Sequence, residues 1–473
     1  MNKQMRKFLL WFAHEHVEFR APEIESILNV FKISPAILKT IEQSPNHPYW
    51  IVETNSESTI RRIASRSVSL RFCIEIWARE NQSNILHDTL KKLPKEKLNE
   101  HIGNGKSFKI IVETFCGHIT QKEKIDRIES FSYLPLDGPV KLTDPDTTLY
   151  YIEHYGMEPN NISKEPQEYF FGRWIANGQR ELIQKLSLKT RKFIGTTSMD
   201  PQLSLMMANQ AQVKNGDIIL DPFVGTGSLL VAASQFGGFI MGNDIDYMML
   251  HARTRPTRIN QKKRSSDESV AANMKQYGKE SQYIDVVVAD FSRPLWRPGM
   301  RVDAIITDPP YGVREATERV GSAKLNPQID EHQAATHIPS KIDYNLPHMF
   351  KDIFNFAAQH LEINGRLVCW FPVYRDNYSP DQLPIHPCMK LTANSEQVLS
   401  NHASRRLLTY IKIREPKNCD VMDSTNILDF REMYFALRDE TRREKRARQN
   451  AERAKNKADW EQRCREKTES TER

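Results

Sequence analysis

A chain of 473 residues with 39% hydrophobic side chains is long enough for two or three domains, each with its own core. The formal net charge of +7 suits a polyanionic partner, although ordinary surface charge accounts for so modest a whole-chain value equally well. No apolar run exceeds Phe8 to Ala13, which excludes a spanning helix, and Cys73, Cys116, Cys369, Cys388, Cys419 and Cys464 form no CxxC pair, so a zinc cage and a disulfide framework are excluded and a reducing, cytoplasmic setting is the default.

Phe8 to Ala13 follows Lys3, Arg6 and Lys7 like a signal-peptide core, but His14-Glu15-His16 arrives too early, and a first β-strand is the better reading. Pro22 opens a helix with Ile24, Ile27, Leu28 and Phe31 on one face. Tyr49 to Val52, Phe72 to Trp77 and Phe108 to Phe115 read as strands, so residues 1–176 form an α+β region. Trp50, Trp77 and Trp174 suit packing better than base stacking. Arg173, Arg180, Lys185, Lys189, Arg191 and Lys192 then face only Glu181. Phosphate contact is expected there, with Arg173, Arg180, Lys189, Arg191 and Lys192 as the RNA-binding set; Arg253, Arg255, Arg258, Lys262, Lys263 and Arg264 form a second basic cluster.

Between these clusters lies Asp221-Pro-Phe-Val-Gly-Thr-Gly-Ser228, after the apolar strand Gly216 to Asp221 and before the helix-forming Leu229 to Ala233. Gly225 and Gly227 let the backbone turn sharply and approach a ligand at the helix N-terminus. The third Gly of a dinucleotide fingerprint is replaced by Leu230, and the Lys of a phosphate-cradling loop is missing after Gly227, so both phosphate readings are weak. Phe239 to Asp244 reads as a second strand ending in an acid, 23 residues after Asp221, close to the spacing of a ribose ligand. A third run, Ile284 to Ala289, ends in Asp290-Phe291, placed to accept an adenine amino group and pack against its ring. Any one of these acids is as readily a helix N-cap, but three in order around a GxG turn point to S-adenosylmethionine. The cofactor set is therefore Asp221, Pro222, Phe223, Gly225, Thr226, Gly227, Asp244, Asp246, Asp290 and Phe291.

The fourth strand, Val302 to Thr307, delivers Asp308-Pro309-Pro310-Tyr311 to the carboxyl edge of the sheet. An exocyclic amine is a poor nucleophile because its lone pair is delocalised into the ring. Asp308 and the Pro309 carbonyl can each accept one of its N–H bonds, which localises that pair, and the two fixed proline φ angles hold the acceptors in place. Tyr311 offers a face for the target base. In-line methyl transfer of this kind needs no metal.

Four segments, Lys192 to Asp200, Asp221 to Ser228, Gly242 to Tyr247 and Ile306 to Glu315, closely resemble the eukaryotic tRNA (guanine-N2) methyltransferase catalytic subunits that act on guanosine 10. Tyr169 to Glu181 and Asn401 to Arg406 are similar to the same family. The resemblance implies a ferredoxin-like plus THUMP-like RNA-binding region, a Rossmann-like class I methyltransferase domain over 177–414, and a small zinc-binding activator subunit as partner. In that fold the third strand lies at the sheet edge, here Val286 to Ala289, an apolar β-branched segment that a second chain could cover. Its own flanking helices and loops are the alternative cover.

After Leu407 to Ile413 the composition changes, and residues 431–473 carry 14 Lys/Arg against 10 Asp/Glu, so 415–473 is expected to be a charged tail, helical or disordered. The reading that results is methylation of guanine N2 in tRNA. Its rivals are an adenine-N6 or cytosine-N4 methyltransferase, since Asp308 to Tyr311 alone cannot choose the amine, and a noncatalytic RNA-binding protein with a methyltransferase fold.

Overall fold

Two seven-stranded sheets organise the computed structural model, which describes residues 5–322 and 338–436. Strands β1 (Arg6–Phe12), β2 (Lys39–Gln43), β3 (Tyr49–Thr54), β4 (Leu70–Glu80), β5 (Phe108–Phe115), β6 (Thr147–His154) and β7 (Glu168–Asn177) form the first, in the order β2-β3-β1-β4-β7-β6-β5. Only β5 and β6 pair in parallel. The long strand β4 joins the two halves of this sheet, pairing with β1 on one side and β7 on the other.

Apolar residues on both faces of β4 explain why the halves form one sheet. Helices α1 (Arg20–Val30) and α2 (Glu57–Ala64) bury Ile24, Ile27, Ile60 and Ile63 against Phe8, Leu10 and Phe12. Helices α3 (Ser83–Lys91) and α4 (Lys95–Ile102) do the same for the other half, seating Leu86, Leu90, Leu98 and Ile102 on Trp77, Val112 and Phe171. The opposite face is aromatic, with Trp11, Tyr49, Phe72, Tyr150 and Phe170 in contact. Trp50 and Trp77 are buried, as their packing role requires, whereas Trp174 is half-buried and its indole N–H donates to Asn177 Oδ1 at 2.9 Å.

The second sheet contains β8 (Ile218–Asp221), β9 (Phe239–Asp244), β10 (Tyr283–Val288), β11 (Val302–Thr307), β14 (Leu361–Tyr374), β15 (Met389–Val398) and β16 (Ala403–Lys412). Its order is β10-β9-β8-β11-β14-β16-β15, parallel from β10 to β14 and antiparallel thereafter. The third strand of this Rossmann-like class I methyltransferase fold, β10, is thus an edge strand. Chain direction reverses its walk across the sheet between β8 and β11, and a crevice opens at such a switch point outside the carboxyl ends of the strands. β12 (Glu318–Val320) and β13 (Lys341–Asp343) pair separately as a short ribbon.

The two regions are joined by buried polar contacts. Glu23 on α1 accepts from Val68 N, Ser69 N and Asn209 Nδ2, and Arg66 donates to Val213 O at 2.7 Å. Residues 415–436, expected in the charged tail, instead belong to the second core: Met422, Ile427 and Phe430 are buried with Phe350, Phe354 and Phe371. The whole-segment composition hid them because most of the segment's charges lie beyond Phe430. Cys464 and residues 437–473 lie outside the described residues. Among the described residues, no helix is long and apolar enough to cross a membrane.

Candidate active site at the switch point

The loop after β8 turns on two glycines with left-handed φ, 51° at Gly225 and 78° at Gly227. A Cβ on Gly227 would meet Val270 Cγ1 at 2.7 Å, so that glycine is required by packing. A Cβ on Gly225 would meet nothing within 4 Å, so that stretch of backbone is open to a ligand. Helix α5 (Ser228–Gln235) starts directly behind the turn. Thr226, itself buried, fixes the loop from the other side through a 2.6 Å hydroxyl contact with Ser198.

Two strand-end acids, Asp221 and Asp244, flank this turn. Asp221 is buried, and its Oδ1 accepts from Phe223 N at 3.0 Å and Thr307 Oγ1 at 2.8 Å. Burial pushes its carboxyl up to about 7, the neutral donors only partly opposing this. Asp244 accepts from Gly225 N at 2.7 Å and Asp246 N at 2.8 Å, and burial raises its pKa as well. Each of its oxygens retains a second lone pair for another donor. Pro222 supplies the carbonyl that receives Asn243 Nδ2 at 3.1 Å, which ties the loop to β9. Phe223 and Phe291 pack with ring centroids 5.3 Å apart, forming an apolar wall beside the acids.

Two acids of the expected set are engaged differently. Asp246 caps the short helix Tyr247–Leu250 by accepting from Met249 N at its Oδ1. Asp290 accepts from Ser292 N at 2.9 Å and Val320 N at 2.7 Å, so it holds the β12–β13 ribbon while sitting at the expected strand end.

Asp308 follows β11 directly, with Pro309 buried and Pro310 half-buried behind it. Its Oδ2 accepts from Arg405 Nη1 at 3.1 Å, and the Tyr311 hydroxyl donates to its Oδ1. Burial raises the Asp308 pKa, and the guanidinium of Arg405 opposes that rise. Tyr311 is held well above its ordinary value, first by burial and then by the Asp308 charge, so it stays a neutral donor. Arg405 was legible only as part of the family-like segment Asn401 to Arg406. Its role depends on β16 lying beside β14, 97 residues from Asp308, and no local spacing carries that information.

The basic residues separate into two groups. Arg173 pairs across strands with Glu75 at 2.9 Å and with Glu57, and Arg191 is fully buried, donating to Ser228 Oγ and Leu186 O, each at 2.8 Å. Both corrections have the same cause: internal acceptors hold these guanidinium groups away from solvent. Lys185, Lys189 and Lys192 are exposed, and Arg180 is partly exposed beside Glu15. Arg264 is likewise buried against Glu268, whereas Arg253, Arg255, Lys262 and Lys263 are exposed. Arg258 donates to the carbonyls of Arg191 and Lys192, which brings the two basic clusters onto one surface next to the cofactor loop.

A family profile described as Tmrp11 THUMP N-terminal domain matches residues 6–180, and one described as RMKL-like, methyltransferase domain matches residues 189–336. The chain is 44% identical over 441 residues to "tRNA (guanine(10)-N(2))-methyltransferase TRMT11" of Bos taurus, covering 91% of this chain and 95% of that one. The Homo sapiens protein of the same name is 44% identical over 444 residues, covering 91% and 96%. Among solved structures, TrmN from Thermus thermophilus aligns with a TM-score of 0.43 at 17% identity, covering 86% of this chain and 100% of that one. Identity of 44% over 91% of the chain places it in the family of tRNA (guanine(10)-N(2))-methyltransferases.

Proposed function

We propose that the chain methylates the exocyclic N2 of guanosine 10 in tRNA, with S-adenosylmethionine as methyl donor. The observation that carries the reading is the convergence, at one switch point, of an open glycine turn flanked by Asp221 and Asp244 and an Asp-Pro-Pro-Tyr loop. The donor set fits the cofactor. Asp244 has acceptor capacity for ribose hydroxyls, Asp221 supplies negative potential toward a cationic methionine moiety, and Phe223 and Phe291 provide an apolar wall for adenine. When bound, S-adenosylmethionine supplies a methyl group whose C–S electron pair stays on sulfur.

The residues of this chain act on the amine. Asp308 and the Pro309 carbonyl each accept an N–H of N2, localising the lone pair that forms the new N–C bond, and the surplus proton leaves through Asp308 to water. Tyr311 orients Asp308 through its hydroxyl and lends a ring face to the base. The exposed Lys185, Lys189, Lys192, Arg253, Arg255, Lys262 and Lys263, together with Arg180, line the surface that receives the tRNA backbone. Free cysteines among the described residues are consistent with a cytoplasmic setting.

The test is nucleoside mass spectrometry of unmodified tRNA incubated with the protein and S-adenosylmethionine. N2-methylguanosine is expected, and N6-methyladenosine or N4-methylcytidine would refute the assignment.

A two-subunit enzyme is part of the same reading. In the edge strand β10, Ile284 is 49% and Val288 42% exposed, an apolar edge that invites another chain to add a strand. A small zinc-binding activator subunit is the proposed occupant. Val287→Lys should then reduce co-purification of the pair while leaving cofactor affinity intact, and an undiminished complex would remove β10 from the interface.

A further inference from the structure

We propose that Arg405 is a specificity-determining residue that, with Asp308, reads the Watson–Crick edge of guanine; the inference rests on the guanine-N2 reading above and names what enforces it. Arg405 is held as a built fixture rather than a mobile surface cation. Its Nε donates to Gln397 Oε1 at 2.7 Å, its Nη2 lies 3.3 Å from Met199 Sδ, and its guanidinium carbon sits 4.0 Å from the centroid of the buried Trp370 ring. Nη1 reaches Asp308 Oδ2 at 3.1 Å. The side chain is 12% exposed and that of Asp308 24% exposed, so the pair is sheltered yet reachable from the crevice.

Read in order, Oδ1, Oδ2 and Nη1 present two acceptors followed by a donor. Guanine presents the complement along one edge: N2–H, N1–H and O6. Adenine offers a donor and then the N1 lone pair, and cytosine a donor and then two acceptors. In both, the second carboxylate oxygen faces a lone pair. Such a mismatch leaves buried polar groups unpaired, which is the strong form of discrimination available to a site. Placing the base this way brings N2 onto Oδ1, the oxygen also held by Tyr311, and leaves O6 to the guanidinium.

The experiment uses the full chain in the preparation that methylates tRNA, with transcripts carrying guanosine or 2-aminopurine at the target position. 2-Aminopurine keeps the 2-amine but lacks both N1–H and O6. The unaltered protein should favour guanosine by roughly 10²-fold or more. Arg405→Ala should lower guanosine turnover by roughly 10–100-fold, the loss of a charged hydrogen bond, while 2-aminopurine turnover falls less, so the ratio between the two bases drops. Arg405→Gln, which keeps an N–H donor without the charge, should restore part of that ratio, and it carries the comparison if the alanine variant loses its fold by the criterion of cofactor affinity. A ratio unchanged in both variants would overturn the proposal, reducing Arg405 to a support for Asp308. Absence of guanosine methylation by the unaltered protein would refute the parent reading as well, and is seen separately before any variant is compared.

Discussion

Acids on the strands of the first sheet and at the strand ends of the second are satisfied in different ways. In the N-terminal sheet, Glu75 is surrounded by Arg173 at 2.9 Å and by Arg6 and Lys97, each at 3.6 Å, and the buried Glu153 meets Arg127 at 2.8 Å. At the strand ends of the C-terminal sheet, Asp221 and Asp244 are held by backbone N–H groups and one hydroxyl, whereas Asp308 pairs with Arg405 at 3.1 Å and Asp290 lies 3.9 Å from Arg293. Charge compensated inside the protein fixes a fold. Charge satisfied only by neutral donors remains available to a cationic ligand, at the cost of a raised pKa.

The largest effect should come from breaking the compensated side. Glu75→Ala removes the acid shared by Arg173, Arg6 and Lys97 and leaves Arg173 with Glu57, and denaturant unfolding should show a loss of about 1.5–3 kcal/mol, as for a lost hydrogen bond between charged groups. A loss near zero would mean that these ion pairs do not organise the N-terminal region.

The uncompensated side is sharpened by pH. Folded Asp221 keeps its proton up to about 7, far above its ordinary range, so its contribution to stability is present at low pH and is lost as pH rises through about 7. A cationic ligand prefers the ionised form. Cofactor affinity measured calorimetrically should therefore rise as pH increases toward about 7, by at most about tenfold per pH unit, level off above it, and be flat in Asp221→Asn. A flat profile in the unaltered protein would separate Asp221 from the ligand.

The smallest effect belongs to the surface. Replacing Lys189, Lys192, Lys262 and Lys263 with Ala should flatten the salt dependence of tRNA affinity by roughly one unit per lost phosphate contact, without changing cofactor affinity. An unaltered slope in a filter-binding series would move the RNA surface elsewhere.

Much of this architecture was legible locally. Phe108–Phe115, Phe239–Asp244 and Val302–Thr307 form strands at the bounds their apolar runs and terminal acids indicate. What was not legible is pairing at a distance. Arg173 sits directly across from Glu75 on the neighbouring strand, 98 residues away, so a basic run read as an outward face is partly an inward one. The link between Arg405 and Asp308 is of the same kind. Residues 415–436 failed for a different reason, because Met422, Ile427 and Phe430 are too sparse to show periodicity yet fill the second core.

The most direct test of the central claim is to measure turnover and cofactor affinity together in Asp308→Ala. Removing the acceptor that faces the amine should lower methylation on the order of 10²–10³-fold while S-adenosylmethionine binds as before. Near-normal turnover in that variant would contradict the assignment of the Asp308 loop as the amine site.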